Sequence, residues 1–171
     1  MQPLGPHNGK SFATTISPWI VTTLALEPFA VKSPPRRISN GYIADTAVEK
    51  NTYDIHLEAS ILSGEKDSRT VVCSSELKGM DWTLRDLMMQ KTVNGCQIEV
   101  GDILASGTVS GSGEGEGGCL LEVNGGGKTE WKMKNGERRT WIEDGDSVVL
   151  AGWAGEGVGF GECIGTVVSA R

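Results

Sequence analysis

The 171-residue sequence predicts a mostly β chain with one clear helix, an α+β domain built as a β-sandwich or roll. Three observations predict it. Short apolar runs rich in β-branched residues alternate with clusters of Gly, Asn, Asp and Ser, and glycine occurs 24 times. Asn124-Gly125, Asn135-Gly136 and Asp144-Gly145 are hairpin signals, because their small or glycine side chains tolerate the turn's positive φ angles. Helical spacing is clear over residues 80–93 alone. No internal repeat or composition break divides the chain, so residues 1–171 are read as one domain.

In order, residues 1–13 read as an irregular loop, because Pro3, Gly5, Pro6 and Gly9 oppose regular structure. Residues 12–21 read as a strand that Pro18 confines to an edge or bends. Thr23 is placed to cap a short helical turn that Pro28 stops. Residues 32–51, with Pro34-Pro35 and Asn40-Gly41, read as an exposed loop. Residues 53–62 alternate, with Tyr53, Ile55, Leu57, Ala59 and Ile61 on one face and Asp54, His56, Glu58 and Ser60 on the other. That places His56 on the polar face as an ordinary surface histidine. Residues 69–75 return as the hairpin partner.

The helix over 80–93 has Asp81 or Thr83 as its cap and Asn94-Gly95 as its stop. Residues 120–123, 129–133, 140–143, 147–153 and 163–168 read as short strands. Residues 111–118 and 155–161 read as open Gly-rich loops, the first flexible by composition.

Composition narrows function. The net charge of −6, with no basic run beyond Arg36-Arg37 and Arg138-Arg139, speaks against nucleic acid and anionic membrane as partners. No apolar run reaches the ~20 residues of a membrane span, so the expectation is a soluble, cytoplasmic protein. Cys73, Cys96, Cys119 and Cys163 form no Cys-x-x-Cys pair, and read as buried free thiols rather than metal ligands or disulfides. Asp144-Gly145-Asp146 lacks the alternating acids of a calcium loop and reads as a turn.

The stretch Gly101-Asp102-Ile103-Leu104-Ala105-Ser106-Gly107-Thr108-Val109-Ser110-Gly111 joins an apolar strand signal to a turn of small and hydroxyl residues. Glu122 follows it inside the apolar run Leu120-Leu121-Glu122-Val123. Two readings stand: a Gly-rich hairpin with a solvent-facing Glu, or an anion cradle beside an acid/base carboxylate. Lys10, Thr14, Thr108 and Glu122 are the candidate site residues, an incomplete set on their own.

One resemblance gives these residues roles. Leu4-Gly5-Pro6-His7-Asn8-Gly9-Lys10-Ser11-Phe12-Ala13-Thr14-Thr15-Ile16-Ser17-Pro18-Trp19 resembles a segment of the fumarylacetoacetase family. So do Val93-Asn94-Gly95-Cys96, the 101–111 stretch, Leu121-Glu122 and Gly159-Phe160-Gly161-Glu162-Cys163-Ile164-Gly165, in the same order from end to end. The resemblance implies the roll of that family's C-terminal domain. It also implies hydrolysis of the C–C bond of fumarylacetoacetate, giving fumarate and acetoacetate in tyrosine and phenylalanine breakdown. In that family a divalent metal, Mg2+ or Ca2+, holds the β-diketone, and a histidine oriented by a glutamate activates water. By position, Glu122 matches the orienting glutamate, Thr108 a substrate-contacting threonine, and Lys10 a charge-stabilising lysine. Lys10 and Thr14 border the metal site. A homodimer is implied too.

The departures are as informative. The family's catalytic histidine, its metal-binding carboxylates and an arginine–glutamine pair precede the segment that begins here. His7 and His56 do not occupy the histidine's position, and Met1 falls where the family has a substrate-binding tyrosine. The chain is therefore expected to be a C-terminal piece of the enzyme, inactive alone. Two alternatives remain at this point: a non-catalytic β-domain kept for dimerisation or binding, and a fold relative acting on another β-diketone or keto acid.

Overall fold

The computed structural model describes residues 11, 13–35, 41–43, 49–64 and 69–170. Among them, strands outnumber helices, as an α+β chain requires. The elements are α1 (Thr23–Leu26), β1 (Ala30–Val31), β2 (Thr52–Tyr53), β3 (His56–Leu62), β4 (Thr70–Glu76), α2 (Leu84–Thr92), α3 (Leu120–Val123), β5 (Trp131–Lys132), β6 (Arg138–Arg139), β7 (Ser147–Ala154) and β8 (Val158–Thr166). The main sheet has the order β4-β3-β7-β8 and is antiparallel throughout. β1 with β2, and β5 with β6, form two small ribbons. No helix among the described residues is long and apolar enough to cross a membrane.

The alternation read over 53–62 holds only in part: the run is broken, and Ser60 on the polar face is fully buried. Tyr53 pairs with Ala30 in one ribbon and His56 starts the main sheet, with Ile55 buried at the corner between them. The apolar face of the sheet looks onto a core of Leu26, Ile55, Leu77 and Ala154, with Leu57, Val109 and Phe160 packed against it. The opposite face carries His56, Glu58, Ser74 and Glu76, brought together by the pairs His56–Glu76 and Glu58–Ser74. A bulge at Val72 adds one residue to β4, so Ala59 faces Cys73 but Ser60 faces Val71.

α2 is shorter than its apolar periodicity implies, and Thr83 rather than Asp81 caps it. The Thr83 Oγ1 accepts the Asp86 N–H at 3.2 Å, and the Asp86 carboxylate accepts the Thr83 N–H at 2.9 Å. Both residues are buried. Thr83→Ala is expected to lower the unfolding free energy by about 1–2 kcal/mol, with Thr83→Ser retaining most of it, read by urea denaturation.

Several predicted strands are not strands. Residues 13–22 run irregularly past β8, where the Ser17 hydroxyl donates to the Phe160 carbonyl and the Trp19 ring lies on Gly161. Pro18, which has no N–H, interrupts any ladder there. Thr22, one residue before the expected Thr23, caps α1. Residues 102–111 form no strand, although Val109 reaches the core. Of the runs 129–133 and 140–143, only Trp131–Lys132 is a strand, and its partner is Arg138–Arg139. Residues 155–161 are a tight turn and the start of β8 rather than an open loop. Within 32–51, the Gly41–Ile43 3₁₀ turn buries Ile43, so that segment is not uniformly exposed.

The correction with most bearing on the site is at 120–123, which is one turn of helix. The reason lies just after it. The Asn124 N–H bonds the Leu120 carbonyl at 2.9 Å, and Gly125, Gly126 and Gly127 all take positive φ, which glycine adopts without steric cost. The fully buried Asn124 side chain donates to the Thr140 carbonyl at 2.6 Å and accepts the Gly127 N–H at 2.9 Å. Asn124-Gly125 therefore ends a helix instead of turning a hairpin.

All four cysteines are free, as expected, but only Cys73 is buried. Burial pushes its thiol pKa up, and the neighbouring Cys119 and Glu122 add to the shift.

Candidate functional site

Glu122 sits in the single turn of α3, so its direction is set by helical geometry and not by strand alternation. Its Oε2 accepts two hydrogen bonds, from the Ser110 hydroxyl at 2.7 Å and from the Gly118 N–H at 2.9 Å. The Gly118 N–H is shared with Ser110 Oγ at 3.2 Å. Two residues from two segments thus close on one carboxylate oxygen. Oε1 has no hydrogen bond among the described residues.

Glycine is required at 118. A Cβ there would overlap the Val109 carbonyl oxygen and the Thr108 methyl. That close approach brings Thr108 and Glu122 into one site. Val109 anchors the strand-like segment by packing inward, which leaves Thr108 and Ser110 exposed on the other side.

The loop 111–118, flexible by composition, is tied by hydrogen bonds of its own. The Gly111 N–H bonds the Glu116 carbonyl at 2.9 Å, and the Glu116 carboxylate takes the Gly113 N–H at 2.7 Å. The loop is also pinned to the sheet, where the Ser74 N–H bonds the Gly115 carbonyl at 3.0 Å. Beside it lies a cavity of about 510 Å³ bordered by Thr108, Ser110, Glu116, Glu76, Asp81 and Trp82. The hydroxyls of Thr108, Ser110 and Ser112 are suited to hold a polar ligand next to the Glu122 clamp.

Of the four candidate residues, the structure brings together Thr108 and Glu122. Thr14 is exposed on the separate 13–22 segment, and Lys10 lies outside the described residues. Ser110 and Gly118 are site residues that sequence reasoning did not single out. The hydroxyl-rich turn signalled Ser110, but its pairing with a residue twelve positions away needs the fold. His56 takes no part in the clamp; its ring is held between Ser74 and Glu76 on the sheet.

Among the described residues, no group of three or more His, Cys, Asp or Glu is placed to hold a metal ion. The described residues therefore do not by themselves supply a ligand set for the divalent metal that the resemblance implies.

Comparison with known proteins identifies the family. Residues 1–168 match the family model described as fumarylacetoacetate (FAA) hydrolase C-terminal. The chain is 42% identical over 170 residues to a fumarylacetoacetase of Arabidopsis thaliana, covering 97% of this chain and 40% of that protein. It is 44% identical to the fumarylacetoacetase of Oryza sativa subsp. japonica, with 98% and 39% covered, and 40% identical to that of Homo sapiens, with 98% and 41% covered. The chain thus spans about two-fifths of the length of the curated relatives it matches. With a family model matching nearly its whole length, the chain belongs to the fumarylacetoacetate hydrolase family.

Proposed function

We propose that this chain forms part of a fumarylacetoacetase, which adds water across a C–C bond of fumarylacetoacetate to release fumarate and acetoacetate in tyrosine and phenylalanine breakdown. The observation that carries the proposal is the state of Glu122: one carboxylate oxygen is locked by Ser110 and Gly118, and the other is open. A carboxylate held in that way is suited to accept the N–H of an imidazole and fix its tautomer, so that the far ring nitrogen can take a proton from water. The histidine would come from outside this chain. Thr108, exposed beside the Glu122 clamp, would hold a substrate oxygen. Lys10 would offset negative charge developing on the diketone, because an ammonium is a compact point charge.

The divalent metal, Mg2+ or Ca2+, belongs to the same proposal. When bound it would polarise the diketone oxygens as a Lewis acid. Its carboxylate ligands would come from outside this chain, with Lys10 and Thr14 at the border of the site. The steps given to this chain do not run through it. The β-sandwich roll, the homodimer and a cytoplasmic location are proposed with it; the four free thiols support a reducing compartment.

Substrate identity is tested by assaying the full-length protein side by side on fumarylacetoacetate and on simple acylpyruvates. A kcat/KM at least about tenfold higher on fumarylacetoacetate is expected, since its second carboxylate adds a charge-assisted contact. Equal or reversed preference would move the assignment to another β-diketone or keto acid.

A further inference from the structure

The polar face of the main sheet holds a second constellation, which shares Glu76 with the border of the 510 Å³ cavity. The His56 Nδ1 lies 2.9 Å from Glu76 Oε1, and its Nε2 lies 3.1 Å from Ser74 Oγ. The register explains this. Glu76 faces His56 directly across β3 and β4, and Ser74 is two residues back on the same face of β4. Trp153, paired with His56 on the other side, packs its ring 4.3 Å from the imidazole, centroid to centroid, and limits its rotation. Lys78 holds Asp54 at 2.7 Å and stands 3.9 Å from the far Glu76 oxygen, which anchors the carboxylate.

With Glu76 ionised, a neutral His56 carries its proton on Nδ1 toward Glu76 and presents the Nε2 lone pair to the Ser74 hydroxyl. Nucleophile, base and orienting acid are then in line, with each bond in the range of an activated serine. Ser74 also opens onto a cavity of about 380 Å³, whose other walls include Glu76, Glu114, Gly115 and Glu116. The Gly115 carbonyl fixes the Ser74 backbone beneath that cavity.

We propose that Ser74, His56 and Glu76 form a second site of acyl-transfer chemistry, with Ser74 as nucleophile, His56 as general base and Glu76 as the positioning residue. Its substrates are small esters that are neutral or cationic, because three carboxylates line the cavity and repel anions. Ser74 Oγ attacks the ester carbonyl while its proton passes to His56 Nε2. The C–O bond to the alcohol breaks, and the leaving oxygen takes the proton from His56. Water then cleaves the acyl-serine, again through His56, releasing the acid and restoring Ser74. This chemistry differs in kind from fumarylacetoacetate hydrolysis, whose substrate is a dianion.

The test uses the full-length protein and an uncharged alkyl fluorophosphonate, which serine attacks at phosphorus with loss of fluoride. Peptide mass mapping is expected to find one adduct, on Ser74. Ser74→Ala should abolish it, His56→Asn should reduce it to background, and Glu76→Gln should slow labelling by about tenfold or more. Ser75→Ala, whose side chain is on the opposite face, should label like the parent and shows that the sheet tolerates such changes. p-Nitrophenyl acetate should be hydrolysed with the same variant dependence, and about tenfold faster than its anionic hemisuccinate analogue. No adduct, an adduct on another residue, labelling that survives in Ser74→Ala, or equal rates on the two esters would overturn the proposal.

Discussion

Replacing Glu122 by Gln in the full-length protein is expected to lower kcat for fumarylacetoacetate by about a thousandfold with little change in KM, measured by steady-state product formation. Glutamine preserves the shape of the clamp. Its carbonyl oxygen can still accept from Ser110 and the Gly118 N–H, which fixes the amide orientation. The NH2 then occupies the position of Oε1. A donor now faces the place where a histidine N–H is proposed to donate. The ring must turn or change tautomer, and the water-activating nitrogen loses its lone pair. Ser110→Ala is expected to be milder, about tenfold, because Gly118 still holds the same oxygen. An unchanged kcat in Glu122→Gln would show that the carboxylate only caps the 110–118 turn.

The largest stability loss is expected from Arg139→Met, about 3 kcal/mol in chemical denaturation, with the melting temperature down by roughly 10 °C. The Arg139 side chain is 13% exposed and gathers Asp146 at 3.2 Å, Glu143 at 2.9 Å, Glu137 at 2.7 Å and the Ser63 hydroxyl at 3.2 Å. Asp146 is almost fully buried. Without the guanidinium, its carboxylate keeps the Glu143 N–H at 2.7 Å but no cation. A buried charge left in that state is costly, whereas removing both partners is not. Arg139→Met with Asp146→Asn should therefore recover much of the loss, a coupling that a double-mutant cycle reads. Acid should narrow the gap between parent and Arg139→Met. The Arg139 guanidinium holds the Glu137 carboxyl below the usual carboxylate range, so its contribution is present above that range and lost as pH falls.

The same cluster shows what a sequence can and cannot say. Asp144-Gly145-Asp146 was readable as a turn, and Gly145 has the positive φ that such a turn demands. Nothing local tells that Asp146 points inward to an arginine seven residues away. The β3–β4 hairpin was legible because period-2 alternation is strong over 53–62. Its register was not, because the bulge at Val72 inserts a residue that no composition marks. That is why the His56–Glu76–Ser74 arrangement was invisible, and His56 passed for an ordinary surface histidine.

The Glu122 site was half legible. The resemblance picked out Glu122 and Thr108, and the Gly-rich loop announced a close backbone approach. The strand expected at 120–123 failed because Leu-Leu-Glu-Val has too few residues for periodicity to separate strand from helix. The decision was taken by Asn124 and the three glycines after it, whose buried hydrogen bonds end a helical turn. Similarly, β-branched residues over 12–21 suggested a strand, but Pro18 and side-chain contacts with Phe160 and Gly161 replaced ladder pairing.

The central claim is that this chain carries the orienting carboxylate and substrate-holding threonine, while base and metal ligands lie elsewhere in a longer protein. The measurement that tests it most directly is hydrolysis of fumarylacetoacetate by the isolated 171-residue chain and by the full-length protein, side by side with Mg2+ or Ca2+ present. The expected result is turnover by the full-length protein and none above background by the isolated chain. Metal-dependent turnover by the isolated chain at a comparable kcat, or none by the full-length protein, would contradict it.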